Sequence, residues 1–260
     1  MGQMRVVGAE PEINLKRATA LVAEASAANA DLVLLPEALD LGWAHPCADS
    51  HARTIPDGRS FQALSECARR NKVWICAGIV ERDGEDIYNS AVLIDRDGRL
   101  VLKHRKINEL DFARELYQVG DATTVADTEL GRIGVMICAD GFIEDHTVSR
   151  ALGEQGADII LSPCAWAVPH DHDNTQDPYG QLWIDSYQPV AKEFSLGVHI
   201  RMSRSEAATG GRKRSSILAD TMEAIFGAVY LDGGLENSRK VIQRVLLERS
   251  ASLLNKRAFG

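Results

Sequence analysis

Residues 132–140 read Arg132-Ile133-Gly134-Val135-Met136-Ile137-Cys138-Ala139-Asp140. A short continuous apolar run of this kind predicts a buried strand, here ending on a thiol. Upstream, Asp31-Leu32-Val33-Leu34-Leu35-Pro36-Glu37 is a second such run and ends on a carboxylate. A third passes through Leu102-Lys103-His104-Arg105 to Lys106. An acid, a cation and a thiol, each at a strand end, are the parts of a covalent hydrolase. A neutral thiol is a weak nucleophile and needs a base and a tuned pKa. Glu37 could take its proton, and Lys106 could favour the thiolate and then hold an oxyanion beside a backbone N–H next to the cysteine. Neither partner run ends on a histidine, which argues against a papain-like arrangement. A cysteine that ends an apolar strand is also commonly plain core, so Cys138 alone decides nothing.

Working outward, strands and helices alternate through the first 165 residues. Arg5–Ala9, Asp31–Leu35, Val73–Val80, Arg132–Cys138 and Asp158–Ser162 read as strands. Asn14–Ala28, Ser60–Asn71 and Asp145–Gln155 carry helical periodicity. Tyr88–Ile94 and Arg99–Lys103 flank Asp95-Arg96-Asp97-Gly98, a hairpin signal. Gln181–Phe194 reads as a further helix and Leu196–Ile200 as a strand. This alternation predicts a layered α/β domain.

The 260 residues are 45% hydrophobic and carry a net charge of −8, enough apolar content for a full core and a poor match to polyanions. The charge is uneven. Residues 201–260 hold 11 Lys/Arg against 6 Asp/Glu, and the remainder holds 18 against 31. That reversal places a boundary near residue 200: a domain over 1–204 and a second segment over 205–260. The five cysteines form no CxxC pair, and no apolar run reaches membrane-spanning length. Free thiols in a reducing cytoplasm, with no membrane partner, are the expectation.

Taken together and in order, four motifs resemble the nitrilase, or carbon–nitrogen hydrolase, superfamily. They are Leu34-Leu35-Pro36-Glu37, Tyr88-Asn89-Ser90-Ala91-Val92 followed by His104-Arg105-Lys106, Arg114-Glu115-Leu116-Tyr117 ahead of Gly120-Asp121, and Gly134-Val135-Met136-Ile137-Cys138-Ala139-Asp140. The resemblance covers roughly residues 4 to 200. It implies a four-layer αββα sandwich, a homo-oligomer, a small-molecule substrate and no cofactor. It also implies a thiol-dependent enzyme cleaving a small amide, a carbamoyl compound or a nitrile. By it, Cys138 is the nucleophile, Lys106 stabilises the tetrahedral intermediate, Glu37 is the general acid and base, and Glu115 supports Lys106. Ala139 and Trp166 are candidate substrate contacts, though Trp166 could equally just pack. Cys164 reads as buried filler. His170-Asp171-His172-Asp173 superficially resembles a metal cluster, but loop histidines at this spacing are usually solvated.

The last quarter reads differently. Residues from about 206 to 254, including Ala219-Asp220-Thr221-Met222-Glu223 and Phe226-Gly227-Ala228-Val229-Tyr230-Leu231-Asp232-Gly233-Gly234, resemble one conserved helix region of ribonuclease III endonuclease domains. In that family the positions of Asp220 and Glu223 bind Mg²⁺, and an i,i+3 carboxylate pair can hold a hard cation. The family's other acidic signature is absent, as is a double-stranded-RNA-binding domain. Half of a two-metal site does not run phosphodiester hydrolysis. The expected sandwich therefore lacks its last strands and is followed by a helical segment. Two alternatives stand beside the hydrolase: a Mg²⁺-dependent RNA endonuclease or RNA-binding fragment, and an inactive fusion.

Overall fold

The computed structural model describes residues 1–165 and, beyond them, 173, 175–176, 186–191, 193 and 194. Among these, no helix is long and apolar enough to cross a membrane. Within residues 1–165, four α-helices and seven strands follow in the order α1 (Pro11–Ala27), β1 (Leu32–Leu34), α2 (Ala48–His51), α3 (Arg59–Asn71), β2 (Trp74–Asp83), β3 (Asp86–Ile94), β4 (Leu100–Arg105), β5 (Val125–Thr128), β6 (Gly131–Val135), α4 (Thr147–Glu154) and β7 (Ile159–Leu161). The strands form two sheets, β1-β2-β3-β4 and β5-β6-β7. In the first, β1 runs parallel to β2, and β2, β3 and β4 form an antiparallel meander. In the second, β6 is antiparallel to β5 and parallel to β7.

Side-chain alternation along the strands sorts the core into layers, because successive residues of a strand face opposite sides. On β2, Ile75, Ala77 and Ile79 join Val33, Leu35, Val92 and Ile94 against Ala18 and Val22 of α1 and Phe61, Leu64 and Ala68 of α3. The intervening Trp74 and Cys76 point the other way and meet Ala91, Leu93 and Leu102, together with Ile133, Val135, Ile137 and Leu161 of the second sheet. Behind the second sheet, Met136 packs with Val148 and Leu152 of α4, and Tyr187 joins them. The result is helices, sheet, sheet, helix: the αββα order expected from the sequence. Gly134 permits the last layer, since a Cβ there would lie 3.1 Å from the Leu152 side chain.

Within residues 1–165 the predicted elements are present with shifted ends, with one exception. Arg5–Ala9 is not a strand. Asn14 supplies the partner that a strand would have had, accepting from Val7 N at 2.9 Å and donating to Val7 O at 2.7 Å. Conversely, β5 was not expected, because Val125-Ala126-Asp127-Thr128 carries too little apolar pattern to signal an edge strand. The helix predicted from Asp145 begins at Thr147, since Asp145 and His146 both adopt positive φ. Of the helix predicted over 181–194, residues 186–191 are helical. The Leu196–Ile200 strand and the whole segment 205–260 lie outside the described residues.

Candidate active site

Glu37 follows β1, whose ladder with β2 continues past the strand end: Leu35 N donates to Cys76 O (2.8 Å), Gly78 N to Pro36 O (3.0 Å) and Leu39 N to Gly78 O (2.9 Å). A Cβ on residue 78 would sit 2.5 Å from the Glu37 Cα. Glycine there is what lets the Glu37 backbone lie against β2. The carboxylate, 1% exposed, then turns inward. Its Oε1 accepts from Asn89 Nδ2 at 2.7 Å and Lys106 Nζ at 2.8 Å, and its Oε2 accepts from Ala165 N at 2.9 Å.

Lys106 directly follows β4 and keeps the ladder going, its N–H donating to Asn89 O at 2.9 Å. Alternation along the strand puts Leu102, His104 and Lys106 on the face toward the second sheet. Lys106 is also 1% exposed. Its Nζ lies 3.4 Å from Glu109 Oε2 and 5.1 Å from the Trp43 ring centroid. Burial opposes its charge, but Glu37 and Glu109 outweigh burial and hold the ammonium above the usual lysine range. Glu109 is buried, and burial pushes its carboxyl up against the pull of Lys106 and Asn89. Asn89 Nδ2 donates to Glu109 Oε1 at 2.9 Å, so one amide bridges the two carboxylates.

Cys138 does not end the strand. β6 stops at Val135, and Cys138 opens a short 3-10 turn, Cys138–Gly141, with φ of +44°. A non-glycine residue there carries strain of roughly 1–3 kcal/mol, the kind that accumulates at functional sites. The turn is fixed from several sides. Cys138 N donates to Pro163 O (3.1 Å) and Ser162 Oγ (3.2 Å), and Tyr187 OH donates to Cys138 O (3.0 Å). A hydrogen bond with the Cys164 thiol, burial and the nearby Glu37 push the Cys138 thiol up, while Lys106 pulls the other way.

The structure thus brings Glu37, Lys106 and Cys138 together and places Ala139, buried, directly after Cys138. It does not bring Glu115. That side chain is exposed, and the carboxylate beside Lys106 belongs to Glu109. Ala113 and Tyr117, one turn apart and joined by a 2.9 Å hydrogen bond, take the inward positions of that segment and leave Glu115 facing out. The three-residue spacing of Lys106 and Glu109 was the signal that could have found it. Asn89 and Trp43 were likewise missed as neighbours of the lysine. Cys164 is more than filler: it is half-buried against Cys138, 3.4 Å from Ser162 Oγ and 3.5 Å from Tyr187 OH. Trp166, His170, Asp171, His172, Asp220 and Glu223 lie outside the described residues.

A nitrilase of Pyrococcus abyssi is 36% identical over 165 residues, which is 62% of this chain and 62% of that protein. The chain therefore spans less than two thirds of that relative. A carbon-nitrogen hydrolase from Helicobacter pylori shares the fold, with a TM-score of 0.64 at 20% identity over 73% of this chain and 67% of that one. Near the other end, a ribonuclease 3 of Thermobifida fusca is 49% identical over 67 residues, 25% of this chain and 28% of that protein. Residues 184–250 match the ribonuclease-III-like family model. Residues 1–186, most of the sequence, match the carbon-nitrogen hydrolase model, and the chain belongs to that family.

Proposed function

We propose that the chain hydrolyses a non-peptide carbon–nitrogen bond, in a small amide, a carbamoyl compound or a nitrile, through a thioester on Cys138. The observation that carries this reading is the 2.8 Å contact of Glu37 with Lys106, both 1% exposed, with both charges acting on the Cys138 thiol. Because burial and its neighbours push that thiol up, it needs a base at the moment of attack, and Glu37 is the carboxylate in place. For an amide, Glu37 takes the thiol proton as Sγ bonds to the carbonyl carbon. The oxygen gains the negative charge, which the Lys106 ammonium offsets. The C–N bond then breaks, and the proton on Glu37 leaves with ammonia or amine. Water attacks the thioester, giving one proton to Glu37 and its oxygen to the acyl carbon. The carboxylic acid departs and the proton returns to sulfur. Glu109 and Asn89 hold Lys106 and Glu37 in register.

Ammonia release from a panel of small amides, carbamoyl amino acids and nitriles tests this, comparing the wild type with Cys138→Ala. Turnover should fall by about 10³-fold or more in the variant. Equal turnover in both would sink the thioester. The 49% identity of the C-terminal match favours one second reading, a Mg²⁺-dependent cleavage of duplex RNA using Asp220 and Glu223. Duplex RNA belongs in the same panel. EDTA-sensitive cleavage lost in Asp220→Asn would establish that activity instead.

A further inference from the structure

Asp140 takes no part in the chemistry above, yet it is fully buried and four N–H groups converge on its two oxygens. Oδ1 accepts from Ile107 N at 3.0 Å and Asn108 N at 2.7 Å. Oδ2 accepts from Ile137 N at 3.0 Å and from His104 Nε2 at 2.8 Å. Ile107 directly follows Lys106, and Ile137 directly precedes Cys138. The donors therefore come from the ends of β4 and β6, strands of different sheets. His104, 3% exposed, gives Nε2 to this bond, and its buried Nδ1 has no hydrogen-bond partner among the described residues. Burying an imidazole that way is costly unless the Asp140 bond returns something. Elsewhere the facing surfaces of the two sheets meet mainly through apolar side chains, with polar ties from Trp74 and Arg96 to Glu129 of the β5–β6 turn, which bind neither the residues after Lys106 nor those before Cys138. Apolar contact is non-directional, so it holds two sheets together without fixing their relative slide. Hydrogen bonds fix distance and direction.

We infer that Asp140 and His104 form a positioning unit that sets Lys106 against Cys138 across the two sheets. The inference rests on the roles proposed for those two residues. His104 holds the Asp140 carboxylate from the β4 side. The carboxylate in turn draws in the two backbone N–H groups behind Lys106 and the one ahead of Cys138. Without the imidazole donor the carboxylate turns, and the loop behind Lys106 loses its fixed distance from the nucleophile. A displacement near 1 Å is worth on the order of 10²-fold in rate.

The test is the rate of Cys138 alkylation by iodoacetamide on the full chain from about pH 6 to 10, a span covering the thiol range. It is mapped by peptide mass spectrometry, with a melting temperature for each variant. His104→Leu removes the donor, and His104→Gln restores an N–H at a similar reach. Lys106 pulls the Cys138 thiol toward ionisation. Its displacement should therefore move the pH–rate midpoint upward and slow alkylation at neutral pH by about 10-fold or more. His104→Gln should return the profile to within roughly threefold of wild type. The inference is overturned if both variants keep the wild-type profile, or if both shift alike. His104→Phe serves as a second donor-less variant. If neither Leu nor Phe folds, the pair is structural and the positioning role is lost. Alkylation requires no turnover, so a chain that hydrolyses nothing in the panel but shows this pattern keeps the positioning unit and loses the hydrolase.

Discussion

Glu81 and Glu37 are both nearly inaccessible to solvent, and β4 with the residue after it supplies cations to both. The two clusters occupy opposite faces of one sheet. On the helix-facing side, Lys103 and Arg105 both pair with Glu81, Arg105 through two hydrogen bonds at 3.0 and 2.7 Å, and Ser90 donates a further one. Those cations remain 30% and 24% exposed. On the face toward the second sheet, Glu37 meets Lys106, itself 1% exposed, with a second carboxylate and a thiol within reach. The first arrangement neutralises a charge and keeps its cations wetted. The second removes water from a cation that sits against two acids, which concentrates its field on whatever enters beside Cys138. One strand with alternating side chains thus builds a structural ion cluster and a chemical one from neighbouring residues.

Matched substitutions would break that contrast if it is wrong. Lys106→Met should lower kcat by about 10³-fold, while Lys103→Met should leave it within roughly threefold. Equal losses in the two would mean that both lysines merely hold the sheet. A smaller effect separates the two glutamates of the following segment. Glu109→Gln should cost on the order of 10²-fold in kcat, and Glu115→Gln should change it by less than about twofold. The reverse ranking in steady-state kinetics would return the supporting role to Glu115. The smallest effect concerns stability. Burial opposes the Glu81 charge, but Arg105, Lys103 and Ser90 hold its carboxyl below the usual glutamate range. The stabilisation is thus complete above the unfolded value of about 4.3 and is lost as pH falls through the lower folded value. Glu81→Gln should lose about 1–3 kcal/mol at neutral pH, less than a fully buried pair because its cations are partly wetted. In thermal melts below about pH 4 the gap from wild type should narrow. A gap independent of pH would show that packing, not charge, holds that cluster.

Much of this was readable in the chain because apolar runs and helical spacing write it. The continuous run Val73–Val80 marks a buried strand, and the spacing of Phe61, Leu64 and Ala68 points to one side of a helix, so strands, helices and layers followed. The Arg5–Ala9 strand failed because a side chain, Asn14, replaced the backbone partner, and local pattern does not reveal such a substitution. At the site, strand ends carried Glu37, Lys106 and Cys138. The choice between Glu109 and Glu115 turned on the direction of the chain after Lys106. Asp140, 33 and 32 residues away in sequence, sets that direction by binding the N–H groups of residues 107 and 108. His104 read as one polar residue in a strand, and its partner lies 36 positions downstream.

The bond from Ala165 N to Glu37 Oε2 spans 128 positions. Contacts that distant form only after a large loop has closed, and in a growing chain they wait for the later residue to emerge. Cys138 is made well after Glu37, and Glu37 acquires its last anchor later still. During synthesis Cys138 is therefore an ordinary thiol in an unfinished sheet, and it meets Lys106 and Glu37 only with the completed two-sheet core.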